Sequence, residues 1–146
     1  IDKPGRGFSY RFDAPLDMRF DPNGLVTAYK ILNEYGEKKL ESIIKNLGEE
    51  KNHKKIAQSI VQYSKKGYMN TTYDLKEAII KGSRGQKNIN KVLSRVFQSI
   101  RIEVNKEFEN IKMMLADIPK VIKVGGKIVL ITFLNIGLSK LIWSLS

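Results

Sequence analysis

A single apolar, β-branched run, Lys127-Ile128-Val129-Leu130-Ile131-Thr132-Phe133, stands near the end of a chain whose other periodicities are helical. Following the Gly125-Gly126 turn, it has the composition of a strand buried on both faces. Such a strand must pair its backbone N–H and C=O groups with neighbours, and no comparable second strand can be read anywhere else in the sequence. The rest of its sheet is therefore expected outside these 146 residues.

The helical pattern begins near Leu25, after an Asp21-Pro22-Asn23-Gly24 turn, and the first twenty residues show neither helical nor alternating periodicity. One helix runs to Tyr35 and stops at Gly36; a second, from about Glu37, places Leu40, Ile43, Ile44 and Leu47 on one face and closes at Gly48. A third spans Glu50 to Lys66, with Ile56, Ile60 and Val61 inward and Gly67 at its end. Thr71 with Asp74 resembles a shortened capping box for a helix that buries Leu75, Ala78 and Ile79 and ends at Gly82. Residues 83–88 then read as a basic, flexible loop. The longest helix is expected from Asn90 to Leu115, where Val92, Val96, Ile100, Val104, Phe108, Ile111 and Leu115 advance in steps of four or three along a buried face. A break near Asp117 should precede a short new turn, with Pro119 at a helix start.

An apolar fraction of 42% is enough for one domain with a core. The absence of cysteine removes disulfides, thiolate metal sites and cysteine nucleophiles, and the first four residues carry no secretory signal. A formal net charge of +11 points to an anionic partner, nucleic acid first. Dispersed lysines on helix faces are equally compatible with a merely solvated surface.

The segment from Gly5 to Asp21 reads as part of a site, because Arg6, Arg11 and Arg19 alternate there with carboxylates and glycines. Asp17 and Arg19, two apart, would share one face of an extended chain, where a guanidinium holds a carboxylate or phosphate bidentately. The alternative is a surface loop tied by that one ion pair. Arg101 and Asn105, four apart on the long helix, offer donors suited to a phosphate or base edge, or to structural hydrogen bonds. The sole histidine, His53, lies among lysines on the exposed side of its helix and has no second ligand, so no metal site is expected. Glu103 and Glu107 read as partners for helix-surface cations.

The blocks Gly5-Arg6-Gly7-Phe8-Ser9-Tyr10 and Asp13-Ala14-Pro15-Leu16-Asp17-Met18-Arg19-Phe20-Asp21 resemble a signature of the bacterial small-subunit ribosomal RNA cytosine-N4 methyltransferases, the MraW/RsmH family. Further matches recur in family order. They are Ile31-Leu32-Asn33-Glu34-Tyr35, Gly48-Glu49-Glu50 with Lys55-Ile56-Ala57, Thr71-Thr72, the run from Arg95 to Glu107, and Gly125-Gly126-Lys127-Ile128-Val129.

The resemblance implies a mainly α chain: a helical insertion domain plus a C-terminal remnant, a long helix and one strand, of a doubly wound α/β methyltransferase domain. Its implied divisions are a signature loop at 1–24, an RNA-facing insertion at 25–89 and the C-terminal part of the methyltransferase domain at 90–146. The family's glycine-rich loop, ribose-binding acid and catalytic segment precede the part matched here, so S-adenosylmethionine is the implied cofactor but is not expected to bind this chain alone. The implied reaction is N4-methylation of a cytosine in small-subunit ribosomal RNA. Arg6, Arg11, Asp17, Arg19, Arg101 and Asn105 would line the site, and Lys51, Lys54, Lys55, Arg84 and Lys87 would meet RNA. Implied partners are ribosomal RNA or the small subunit and a missing N-terminal half, with no membrane, in the cytoplasm or an organellar matrix. The alternatives are a non-catalytic RNA- or ribosome-binding module and a degraded gene product.

After Phe133 the chain departs from the family's polar Ser-Phe-His-Ser-Leu-Glu-Asp-Arg. Codons for Leu134 to Ser139, taken one base earlier, can spell Leu-Glu-Tyr-Arg-Ile-Val, close to the family's continuation, which points to a frameshift. The tail with Leu141, Ile142, Trp143 and Leu145 is apolar, but Lys127, Asn135 and Lys140 leave no uninterrupted membrane span.

Overall fold

A computed structural model describes residues 5–127, so the expected strand from Ile128 and the divergent tail lie outside the described residues. Among the described residues six helices follow one another: α1 (Ala28–Glu34), α2 (Glu37–Gly48), α3 (His53–Lys65), α4 (Thr72–Gly82), α5 (Ile89–Asn105) and α6 (Glu107–Val121). The described residues contain no named strand, only an isolated antiparallel bridge between Pro15 and Thr71. The mainly α expectation therefore holds.

Residues up to Asn105 form one compact unit and those from Lys106 belong to a second. In the first, α2 packs on α5 and α3, and α3 packs on α4. Its core joins Ile31 and Leu32 of α1, Leu40 and Ile44 of α2, Ile56 and Ile60 of α3, Leu75 and Ile79 of α4, and Val92, Leu93, Val96 and Ile100 of α5. These are largely the faces that the three- and four-residue spacing selects. Removing such side chains from water contributes about 25 cal/mol per Å² and holds the bundle together.

Helix ends follow local chemistry. The Thr71 hydroxyl accepts from the Asp74 amide at 3.5 Å while Asp74 Oδ2 accepts from the Thr71 amide at 2.8 Å, a reciprocal cap. α1 starts at Ala28 instead of near Leu25, because Thr27 caps it and the Ala28 and Tyr29 amides donate to the carbonyls of Asp17 and Leu16. α3 starts at His53, three residues later than expected, because Glu50 turns inward: its Oε1 accepts from the Asn52 amide at 3.1 Å and its Oε2 lies 3.5 Å from Arg95.

The long helix expected from Asn90 to Leu115 is two helices. Lys106 takes a left-handed conformation, φ +50°, which ends α5 after Asn105 and lets α6 begin at Glu107. Phe108, Ile111 and Leu115 accordingly do not extend the buried face, and none of the residues of α6 is buried. Pro119 sits inside α6, not at a helix start.

Candidate functional site

The first twenty residues carry a periodicity that the sequence pattern conceals. Ala14, Leu16 and Met18 are buried in alternation, while Pro15 is exposed and Asp17 and Arg19 are half-buried. Leu16 and Met18 thereby belong to the helical core and bind an irregular segment to it. The alternation stops at Met18, whose φ of +59° bends the chain. Asp17 and Arg19 thus meet around a left-handed residue, not along one face of an extended strand.

Arg19 Nε donates to Asp17 Oδ1 at 2.6 Å and Nη2 to Oδ2 at 3.2 Å, the bidentate pairing that the spacing suggested. Its Nη1 donates to the Gly24 carbonyl at 2.7 Å, closing the Asp21–Gly24 turn, in which the Gly24 amide donates to the Asp21 carbonyl at 3.0 Å. The Arg19 side-chain hydrogen bond holds the Asp17 carboxyl below its ordinary pKa, and the Arg6 charge adds to this. The same hydrogen bond raises that of Arg19.

Arg6 Nη2 donates to the Arg19 carbonyl, and the Met18 amide donates to the Arg6 carbonyl at 2.8 Å. Gly7, at φ +76°, lies so close to the returning chain that an added Cβ would stand 2.4 Å from the Pro15 carbonyl oxygen. Only glycine fits there. Asn105 completes the arrangement from α5: its Nδ2 donates to the carbonyls of Met18 at 2.8 Å and Arg101 at 2.9 Å, and its Oδ1 accepts from the Phe20 amide at 2.8 Å.

Four of the six expected site residues, Arg6, Asp17, Arg19 and Asn105, are therefore joined in one hydrogen-bonded group. Arg101 enters it through its carbonyl, bonded by Asn105. Arg11 stands apart, exposed, with its amide donating to Ser9 Oγ at 3.2 Å. Phe8 and Phe20 stack with ring centroids 5.5 Å apart, and Phe12 and Phe20 remain exposed.

Lys51, Lys54, Lys55, Arg84 and Lys87 are all exposed. Of these, Lys55 and Arg84 line a common cavity, joined by Lys81. His53 departs from expectation: it is half-buried, with Nδ1 3.1 Å from Glu41 Oε1, because the first turn of α3 faces α2. Glu103 accepts from the Tyr35 hydroxyl at 3.2 Å. No helix among the described residues is long and apolar enough to cross a membrane.

A mainly helical unit that fastens an arginine- and glycine-rich segment onto its last helix is the class of protein these observations define. Over residues 1–138 the chain matches the MraW methylase family, and it belongs to that family. Among its relatives is the ribosomal RNA small subunit methyltransferase H of Caldicellulosiruptor saccharolyticus, 44% identical over 91% of this chain and 43% of that protein. The proteins of the same name from Fusobacterium nucleatum and Bacteroides thetaiotaomicron are 39% and 42% identical, each over 91% of this chain and 42% and 43% of their own lengths. The chain thus spans less than half the length of these relatives.

Proposed function

We propose that this chain is the RNA-positioning part of an enzyme that methylates the exocyclic N4 amine of a cytosine in small-subunit ribosomal RNA, with S-adenosylmethionine as methyl donor. The observation that carries the reading is the Asn105 clamp. Its amide holds the Met18 carbonyl and the Phe20 amide, and the Arg6 and Arg19 bonds extend that hold along the segment, as a reaction dominated by orientation requires. Arg11, Phe12 and Phe20 stay exposed on that fixed segment, where a cation and two rings suit an unpaired nucleotide. In this reading 1–24 is the signature loop, 25–89 the RNA-facing insertion and 90–146 the end of the methyltransferase domain. Lys51, Lys54, Lys55, Arg84 and Lys87 approach RNA phosphates, and the enzyme works in the cytoplasm beside the small subunit.

The described residues do not fit the cofactor. A site for S-adenosylmethionine needs backbone amides at a glycine turn between a strand and a helix. Here close-packed glycines are filled by the chain itself, among them Gly7 against Pro15, Gly48 against Arg95 and Gly82 against Ile56. Cofactor binding is assigned to another part of the enzyme, and titration calorimetry should detect no binding to this chain alone. Micromolar affinity would overturn that assignment.

The decisive experiment uses a chimera in which this chain replaces the matched 43% of the Caldicellulosiruptor relative. It should methylate small-subunit RNA, and Asp17→Ala or Arg19→Ala should each reduce the rate by about 100-fold or more, the scale of loss that misplacement produces. Normal rates in both variants would reduce the segment to a structural loop. A second reading, a non-catalytic RNA-binding module, draws on the cluster of cations around Lys55. It is the outcome if the chimera binds RNA without methylating it.

A further inference from the structure

Between α3 and the end of α4 lies a cavity of about 290 Å³. Lys55, Lys81 and Arg84 line it, together with Gln58, Ser59, Gln62 and Gly82. No carboxylate lines it, and none pairs with these three cations among the described residues. Ser59 is 5% exposed and its Oγ is buried without a hydrogen-bond partner, a cost that a native interior normally avoids. Gly82 lets the helices meet beside the cavity, since an added Cβ would stand 2.7 Å from Ile56 Cα.

Three cations and neutral donors with no acidic group are complementary to a compact oxyanion and repel a cation. We propose that this cavity is a phosphate-binding site which, on the RNA-binding reading above, receives a backbone phosphate of the substrate strand. Beside it a second cavity of about 380 Å³ shares Lys81 and is lined by Tyr63 and Tyr68 together with Lys66, Asp74 and Glu77. Lys81 Nζ stands 5.6 Å from the Tyr63 ring centroid, and Tyr68 is 61% exposed. A phosphate held by Lys81 therefore has aromatic faces next to it on which its own base can stack, which favours an unpaired strand over a duplex.

The test titrates inorganic phosphate and, separately, a single-stranded oligoribonucleotide into the full chain at low ionic strength, with chloride as control. Backbone amide shifts on phosphate addition should centre on residues 55–62 and 81–84. The pair Lys55→Gln with Arg84→Gln should weaken both ligands by about tenfold, whereas Lys38→Gln with Lys91→Gln, an equal charge loss elsewhere, should change either by less than about twofold. Tyr68→Ala should weaken the oligoribonucleotide and spare inorganic phosphate. All four cations replaced are exposed, so helicity by circular dichroism should not change.

Phosphate shifts elsewhere, or equal losses in the two double variants, would overturn the cavity. If the Lys55 and Arg84 changes left oligoribonucleotide binding intact, the site would fall while the RNA reading stood. Phosphate bound in the cavity with no oligoribonucleotide binding would keep the phosphate site and sink the RNA reading.

Discussion

Asn105 does with one side chain what a neighbouring strand would do with its backbone, bonding a carbonyl and an amide two residues apart on the signature segment. Removing it strands the Met18 carbonyl and the Phe20 amide and withdraws support from the left-handed turn at Met18. Asn105→Ala should therefore cost about 1–3 kcal/mol in denaturant unfolding. Asn105→Asp should cost a similar amount, since it sets an oxygen against the Met18 carbonyl; losses below about 0.5 kcal/mol in both would show the clamp to be incidental. Asp17 gives a pH signature. Its folded pKa is depressed chiefly by the Arg19 hydrogen bond, so the stabilisation is complete above the unfolded value of 3.8 and is lost as pH falls through the lower, folded value. Asp17→Asn should lower Tm at neutral pH and flatten the decline below 3.8; an unchanged acid limb would contradict the pairing. The Asp17 to Arg19 contact was legible because its partners are two residues apart. The clamp was not, because Asn105 reaches 87 residues back to Met18 and local spacing carries no trace of that distance.

Gly82 shows how two opposing terms decide the packing of an element. In a helix, alanine gains about 1 kcal/mol over glycine, but a Cβ here would press on Ile56 Cα at 2.7 Å and on the Lys55 carbonyl at 2.9 Å. Backbone cannot rotate away as a side chain tip can, and overpacking costs about 1–3 kcal/mol, so Gly82→Ala should destabilise on balance. Gly36→Ala, with nothing within 4 Å of the added Cβ, provides the comparison in thermal unfolding. A Gly82→Ala protein as stable as the parent would mean that α3 and α4 can separate freely. Thr71→Ala should cost about 1 kcal/mol, the usual value for a lost cap, and would reveal a dispensable cap if it cost nothing. Glycine stops and the Thr71 cap were readable from sequence because each depends on residues within one turn. The division at Lys106 was not. A single left-handed residue leaves the apolar stripe in phase on both sides, and lysine gives no warning of positive φ as glycine would. The same logic hid the alternation of Ala14, Leu16 and Met18, which three arginines and a proline obscure.

Charge acts at the scale of the whole molecule, whose net charge is +11 and of whose lysines only particular ones can stand against phosphate. Family membership was legible over almost the entire chain, since ordered motifs survive where individual contacts cannot be foreseen. Asn33 illustrates why such motifs persist: its Nδ2 donates to the Tyr29 and Met69 carbonyls at 2.9 Å, and its Oδ1 accepts from Ser64 Oγ at 2.8 Å, tying three segments together. Net charge alone could not separate a solvated surface from an RNA-binding one. Salt dependence can. If α3 meets a single-stranded RNA backbone, each lysine in contact displaces condensed counterions, and the slope of log K against log salt should fall by about 0.7 for each contact removed. Replacing Lys51, Lys54 and Lys55 together by glutamine should therefore reduce the slope by up to about 2, with little dependence on RNA sequence because phosphates carry no base information. Replacing three exposed lysines elsewhere, Lys38, Lys45 and Lys91, removes the same net charge and should leave the slope nearly unchanged. Equal slopes in the two triple variants would mean that Lys51 and the first lysines of α3 only keep the surface solvated, and that RNA, if bound, is held elsewhere.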